Sequence, residues 1–131
     1  MVGSKNRTRN KEETKMNKRD LQLQRNNIAQ LIRVSNRNRN VLKWSPNETI
    51  DHINMKFEIC KQLKIWGHEF YTEAIFADTG LRADVIDADE AIIYEVYQTE
   101  GEDSLMRKAA SYPLEVRFIA AGQRFEEKLL L

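Results

Sequence analysis

Two acids stand inside hydrophobic runs of this sequence. Asp84 lies in "LRADVID" (81–87) and Glu95 in "AIIYEVYQ" (91–98), with the acidic turn "ADE" between them. A strand interior does not accept a carboxylate without a partner or a cation, because an unpaired buried charge is costly. If residues 86 and 91 pair across the turn, 84 faces 93, and Glu95 is the next residue along on that face. Asp84 and Glu95 are then diagonal neighbours. Carboxylates that close repel, so one takes up a proton unless a cation sits between them. Oxygen-only ligands suit Mg2+ or Mn2+ rather than zinc. Glu73, in "HEFYTEAIF" (68–76), offers a third carboxylate if its face matches. A cation held this way polarises a phosphodiester and lowers the pKa of a bound water. The plainer alternative is an ion pair. The same register sets Arg82 opposite Glu95, with Asp84 and Glu73 as surface residues of an edge strand.

The elements that must position these acids are legible from periodicity. Residues 1–16 are polar and lack apolar periodicity, as a disordered segment would. Leu21, Ile28, Leu31, Ile32 and Val34 partly fit an amphipathic helix over 17–35. "SNRNRNVLKW" breaks it, and asparagine is absent after position 54, which places a linker near 36–44. "SPNE" then reads as a capping box, with Ser45 as N-cap, Pro46 at the first helical position and Glu48 closing the box. That helix runs to Trp66 and stops at Gly67. Strands follow over 68–76, with Phe70, Thr72, Ala74 and Phe76 on one face, then over 81–87 and 91–98. The last is nearly continuous in apolar residues, as a central strand is. A helix over 103–112, capped by Asp103 or Ser104, ends before Pro113, and a fourth strand covers 114–121. "RFEEKLLL" offers a terminal helical turn. The final strand–helix–strand unit predicts a mixed sheet with a right-handed crossover.

Formal net charge is only +1, but it is unevenly spread. Residues 1–45 hold twelve Lys and Arg against three acids; the rest holds nine of the chain's 21 bases and seventeen of its 20 acids. A basic arm of 1–44 is therefore joined to an acidic body of 45–131. Such asymmetry points to a nucleic-acid or other anionic contact from the arm, or to a solvated extension. One cysteine, Cys60, excludes an intrachain disulfide and a cysteine-based zinc site and fits reduced, intracellular surroundings. No run reaches the roughly 20 apolar residues of a membrane span, and the N-terminus lacks the apolar core of a secretory signal.

A capped helix, "GHEFYTEAIF", "RADV", a hydrophobic run ending in "YEV", then helix and strand: in this order residues 45–121 resemble the PD-(D/E)XK nuclease superfamily, in particular its small archaeal, viral and competence-associated members. The resemblance covers about 77 of the 131 residues. It implies an α/β, restriction-endonuclease-like α-β-β-β-α-β core with a mixed sheet. It further implies Mg2+- or Mn2+-dependent endonuclease activity on DNA, in the cytoplasm (of a host cell, for a viral protein). Asp84 matches the motif aspartate, Glu95 the acid of the (D/E)-x-K motif, and Glu73 is the extra metal ligand. One position departs: Tyr97 stands where the family has lysine. A phenol donates one hydrogen bond but brings no positive charge. Lys108, Lys56 or Arg82 could replace that cation, with Lys108 favoured because its helix packs beside the third strand. Tyr97 and Lys108 therefore join Asp84 and Glu95 as candidate catalytic residues.

The arm supplies Arg33, Arg37, Arg39 and Lys43 as candidate phosphate contacts, a sequence-independent and salt-sensitive mode of DNA binding. His52 and His68 are the only histidines. Without cysteine partners they are a weak metal signal, although His52 with Glu58 could line a substrate groove. Trp44 and Trp66 read as packing residues. The alternative function is a nuclease-fold protein that has lost catalysis and binds nucleic acid or a protein partner. A third is an interaction protein assembled through the N-terminal helix. A homodimer would not separate the nuclease reading from the third.

Overall fold

The computed structural model describes residues 16–131. The stretch expected to be disordered lies, up to residue 15, outside them. Helix α1 spans Lys18–Leu31, and the Asn17 side chain caps it by accepting the Asp20 amide. It ends four residues earlier than the periodicity predicts. Ile32 turns extended and forms an isolated bridge with Phe76, and Val34–Asn36 make a single 3-10 turn.

Helix α2 spans Ile50–Ile65, with Thr49 as its N-cap. The expected cap at Ser45 is displaced because Thr49 stands nearer the apolar stripe and accepts the His52 amide at 3.2 Å. The Ser45–Glu48 box still closes, but as a turn ahead of the helix: the Ser45 amide donates to Glu48 Oε1 at 2.7 Å. At the other end Trp66 is the C-cap, and Gly67 takes the left-handed conformation, φ +77°, that terminates a helix cheaply only at glycine.

Strands β1 (Phe70–Ile75), β2 (Arg82–Asp87) and β3 (Ile92–Tyr97) form an antiparallel meander. Helix α3 (Glu102–Ala110) carries the chain over to β4 (Glu115–Ala120), which pairs parallel to β3. Gly101, rather than Asp103 or Ser104, is the α3 N-cap; Glu102 and Asp103 fall in the first turn, where the helix dipole favours acids. Among the described residues the result is an α/β fold with three helices and a four-stranded mixed sheet in the order β1-β2-β3-β4. A 3-10 turn, Glu127–Leu130, closes the chain, and Tyr94 donates to the Leu130 carbonyl beneath it. Among the described residues, no helix is long and apolar enough to cross a membrane.

The sheet separates two apolar layers. Met55, Ile59, Cys60 and Leu63 of α2 pack on Phe70, Val85, Ile92, Tyr94, Val96 and Ile119. Ile28 and Ile32 pack with Tyr71, Ala74, Phe76, Ala83, Ile86 and Ile93 in the other layer. Both are buried, at 4% and 0% exposure, so the segment expected as an arm joins the core from α1 onward.

Phe70, Thr72, Ala74 and Phe76 do not share a face as expected: Phe70 packs in the α2 layer and Ala74 and Phe76 in the α1 layer. Ala83 and Val85 split in the same way. The cause is a kink. The β1–β2 ladder pairs Thr72 with Val85 and Ala74 with Ala83 but skips the pair between them, Glu73 and Asp84. Glu73 has φ +51°, a left-handed backbone that costs a non-glycine residue of order 1 kcal/mol or more and recurs at functional sites.

The exposed edge of β1 is covered by the chain that precedes α2. Asn36 and Asn40 present side-chain oxygens to the Ile75 and Phe70 amides, at 3.0 and 2.9 Å. The Arg33 and Asn40 amides donate back to the Ile75 and Phe70 carbonyls. Asn40 reaches this position with φ +59°, a conformation asparagine tolerates better than most residues.

Candidate functional site: an acid–base cluster where the central strands part

The β2–β3 register pairs Val85 with Tyr94, Ile86 with Ile93 and Asp87 with Ile92. Asp84 therefore stands level with Glu95, two residues from the expected pairing of 84 with 93, and Arg82 is not opposite Glu95. The turn explains the shift. The buried Asp87 carboxylate accepts the amides of Asp89 and Glu90, and the four-residue turn starts one residue later than expected, flanked by Asp87 and Ile92 instead of 86 and 91. The acids are closer than the diagonal placement predicts.

Beyond Val85 the backbone ladder gives way to side chains. Glu95 Oε2 accepts the Asp84 amide at 2.6 Å, and Asp84 Oδ2 accepts the Val96 amide at 2.8 Å. Each carboxylate then meets a different group. Glu95, 2% exposed, takes Lys108 Nζ of α3 at 2.9 Å, with the Tyr112 hydroxyl 3.5 Å away. Asp84 turns toward α2, where His52 Nε2 lies 3.3 Å from Oδ2 and 3.1 Å from the Val96 carbonyl. His52 Nδ1 pairs with Glu48.

Burial, reinforced by the Asp84 charge, raises the Glu95 pKa to about 7. The hydrogen bond and charge of Asp84, with help from Glu48, raise His52 to about 9 against the opposing effect of burial. His52 is thus an imidazolium at neutral pH, donating from both nitrogens. The Lys108 ammonium is also held above its usual range, because Glu95 and Asp84 outweigh its partial burial.

Lys56 anchors the other side. It is fully buried, and its ammonium donates to Glu73 Oε2 at 2.8 Å, Glu48 Oε1 at 3.1 Å and the Lys43 carbonyl at 2.7 Å. Glu73 is also 3.8 Å from the exposed Arg82. The acids expected as metal ligands thus converge only in part. Among the described residues, the side chains whose ligand atoms come together are Glu48, His52 and Asp84, all within 4.8 Å of one another. Glu73 and Glu95 are each held by a lysine.

The other predicted residues are spread more widely. Tyr97 meets Phe118 edge-on, with ring centroids 6.4 Å apart. Arg33 is exposed, Arg37 donates to the Ile32 carbonyl, and Arg39 pairs with Glu69 at 3.3 Å, all along the covered β1 edge. Lys43 reaches the cluster only through its backbone carbonyl. Glu58 pairs with Lys61 rather than joining His52. His68 stabilises Asp87 at the far end of β2, at 2.9 Å. Glu48 as a ligand candidate was missed because the capping box explained it. Its signal was spacing: Glu48, His52 and Lys56 recur every four residues, a polar stripe that leads from the turn onto one face of the helix.

The cluster fits a divalent cation. Two carboxylates and an imidazole nitrogen are a donor set for Mn2+ or a later transition metal more than for Mg2+, which prefers oxygen alone. Binding there requires His52 to give up its proton. Comparison of the chain with family models, curated proteins and solved structures gives no match.

Proposed function

We propose that the chain is a metal-dependent nuclease of the PD-(D/E)XK, restriction-endonuclease-like kind, hydrolysing DNA phosphodiester bonds. The observation that carries this reading is the pair Asp84 and Glu95, whose carboxylates replace the backbone ladder where β2 and β3 part. The order α2-β1-β2-β3-α3-β4, with β4 parallel to β3, also agrees with the family core. Asp84, His52 and Glu48 would hold the divalent ion, which when bound supplies Lewis-acid activation of the phosphodiester and of water. Glu95, near neutrality in pKa, can accept a proton from the attacking water. Lys108, 42% exposed at its side chain, stands over Glu95 and can meet the charge that develops on the phosphate. Lys56 fixes Glu48 and Glu73 from beneath and is too buried to touch a substrate. Arg33, Arg37, Arg39 and Lys43 would hold the DNA backbone away from the acids.

A second reading is a nuclease-fold binding protein that has lost catalysis. It is favoured by Tyr97 in place of the motif lysine and by the fact that each acid of the cluster meets a cation or amide of the protein itself. Incubation with supercoiled, linear and branched DNA in Mn2+ or Mg2+, beside Asp84→Asn and Glu95→Ala, separates the two. Cleavage by the native chain that both variants lose supports the enzyme. DNA retention without cleavage, and without measurable Mn2+ binding, supports the binding protein.

A further inference from the structure

The two edges of the sheet differ. The β1 edge is covered by the chain that precedes α2, whereas β4, among the described residues, has β3 as its one strand neighbour. The Ala121 amide donates to the Tyr97 carbonyl at 2.7 Å, so the residues in step with it, Glu115, Arg117 and Ile119, turn their backbone groups toward β3. Val116 and Phe118 turn theirs outward. At the end of the strand the outward Ala120 carbonyl is taken by the Gln123 side chain, at 3.2 Å. The open part of the edge is therefore short and centred near Val116. Such an edge is a template for a further strand.

The sequence of that edge is its own complement. "LEVRF" (114–118), laid antiparallel on a second copy about Val116, sets Glu115 opposite Arg117 twice and Leu114 opposite Phe118 twice. The faces match. Arg117 reaches the Leu130 carbonyl and Ile119 packs in the α2 layer, so both charged pairs lie on that side. Leu114 and Val116 pack in the α1 layer, so the apolar pairs lie on the other. The hydrogen bonds match as well. The two Val116 residues exchange amide and carbonyl across the axis, which makes Glu115 and Arg117 a non-hydrogen-bonded pair, where side chains come closest. Glu115, exposed, already holds Arg117 Nε of its own strand at 2.9 Å, and a second copy extends that pair into a ring of alternating charges without breaking it. An axis at Phe118 instead sets Arg117 against Ile119 and displaces Gln123. We propose that β4 pairs antiparallel with β4 of a second copy about Val116, giving one continuous eight-stranded sheet. The covered β1 edges end that sheet on both sides, so assembly closes at two. The interface is narrow, which places association in the micromolar range. The pairing does not rest on the nuclease reading.

The test is sedimentation velocity of the full chain over a range of concentrations. The expected result is a concentration-dependent species of twice the 15.4 kDa chain mass. Glu115→Arg sets arginine against arginine across the axis, and Arg117→Glu sets glutamate against glutamate. Each should weaken self-association roughly tenfold or more. An equimolar mixture of the two variants should recover the dimer, because each then faces its opposite. That recovery cannot arise within one chain, where both variants carry like charges at the two positions. Val116→Pro removes an amide that the single chain leaves unpaired at a sheet edge, so it should give a folded monomer, with circular dichroism and thermal melts as the check. A native chain that stays monomeric at high micromolar concentration overturns the proposal and leaves the edge to a strand of another protein. A dimer that survives Val116→Pro, or folded charge variants that do not recover it on mixing, overturns it equally.

Discussion

Asp84 and Glu95 tie their two strands together through side chains: Glu95 accepts the amide of Asp84, and Asp84 accepts the amide of the residue after Glu95. The arrangement separates charge from hydrogen bonding. Asp84→Asn can keep the acceptor for the buried Val96 amide, whereas Asp84→Ala leaves that donor unsatisfied. Urea denaturation should find the alanine variant less stable than the asparagine variant by about 1–3 kcal/mol. In Asp84→Asn the Glu95 pKa should fall from about 7, since the like charge is gone, and carboxyl NMR titration reads this directly.

His52 makes the cluster sensitive to alkali. Its pKa is raised above the ordinary value of 6.5 to about 9, so its ion pairs contribute stability that is complete below pH 6.5 and lost as pH rises through about 9. Allowing for solvent screening, the loss is on the order of 1–2 kcal/mol. His52→Gln should flatten the stability profile across that window. Mn2+ affinity should rise with pH over the same range, about tenfold per unit, with one proton released per ion in calorimetry.

Lys108 and Tyr97 can exchange roles if the site needs only one cation beside Glu95. Lys108→Ala should lower the cleavage rate by about 100-fold, a typical cost of losing one charge-stabilising group. Adding Tyr97→Lys, on the same face of β3 as Glu95, should recover a substantial part. Rates of the double variant equal to those of Lys108→Ala would show that Lys108 acts through local structure.

Lys56 offers the largest stability effect. Lys56→Met leaves Glu48 and Glu73 facing each other with their shared ammonium gone, and removal of one partner from a buried ionic group costs about 3–5 kcal/mol. Adding Glu73→Gln should return part of that loss in urea denaturation. Additive effects of the two substitutions would contradict a coupled pair.

The strands, their order and the end of α2 were legible because each is an apolar run with a clear stop, such as Gly67 after α2, whereas the start of that helix was misplaced because Thr49, not Ser45, caps it. The kink was not. Glu73 and Asp84 reverse the alternation of two strands at once, and nothing in the local pattern marks a left-handed glutamate. The register also escaped, since it depends on a turn of the expected length that starts one residue later, with the Asp87 carboxylate holding it. Lys108 beside Glu95 was anticipated from the helix that follows β3. Glu48 was hidden by a second, sufficient explanation of the same residue. The β1 edge cover was hidden because an asparagine-rich stretch reads as linker when only composition is weighed.

That cover has a consequence for the whole molecule. Asn36 and Asn40 occupy amides that would otherwise invite another strand, so residues 32–43 act as a guard against sheet-to-sheet growth. A chain shortened to begin at the expected boundary near 44 would lose more than positive charge. It would present β1 as a bare template, and its first failure would be self-association.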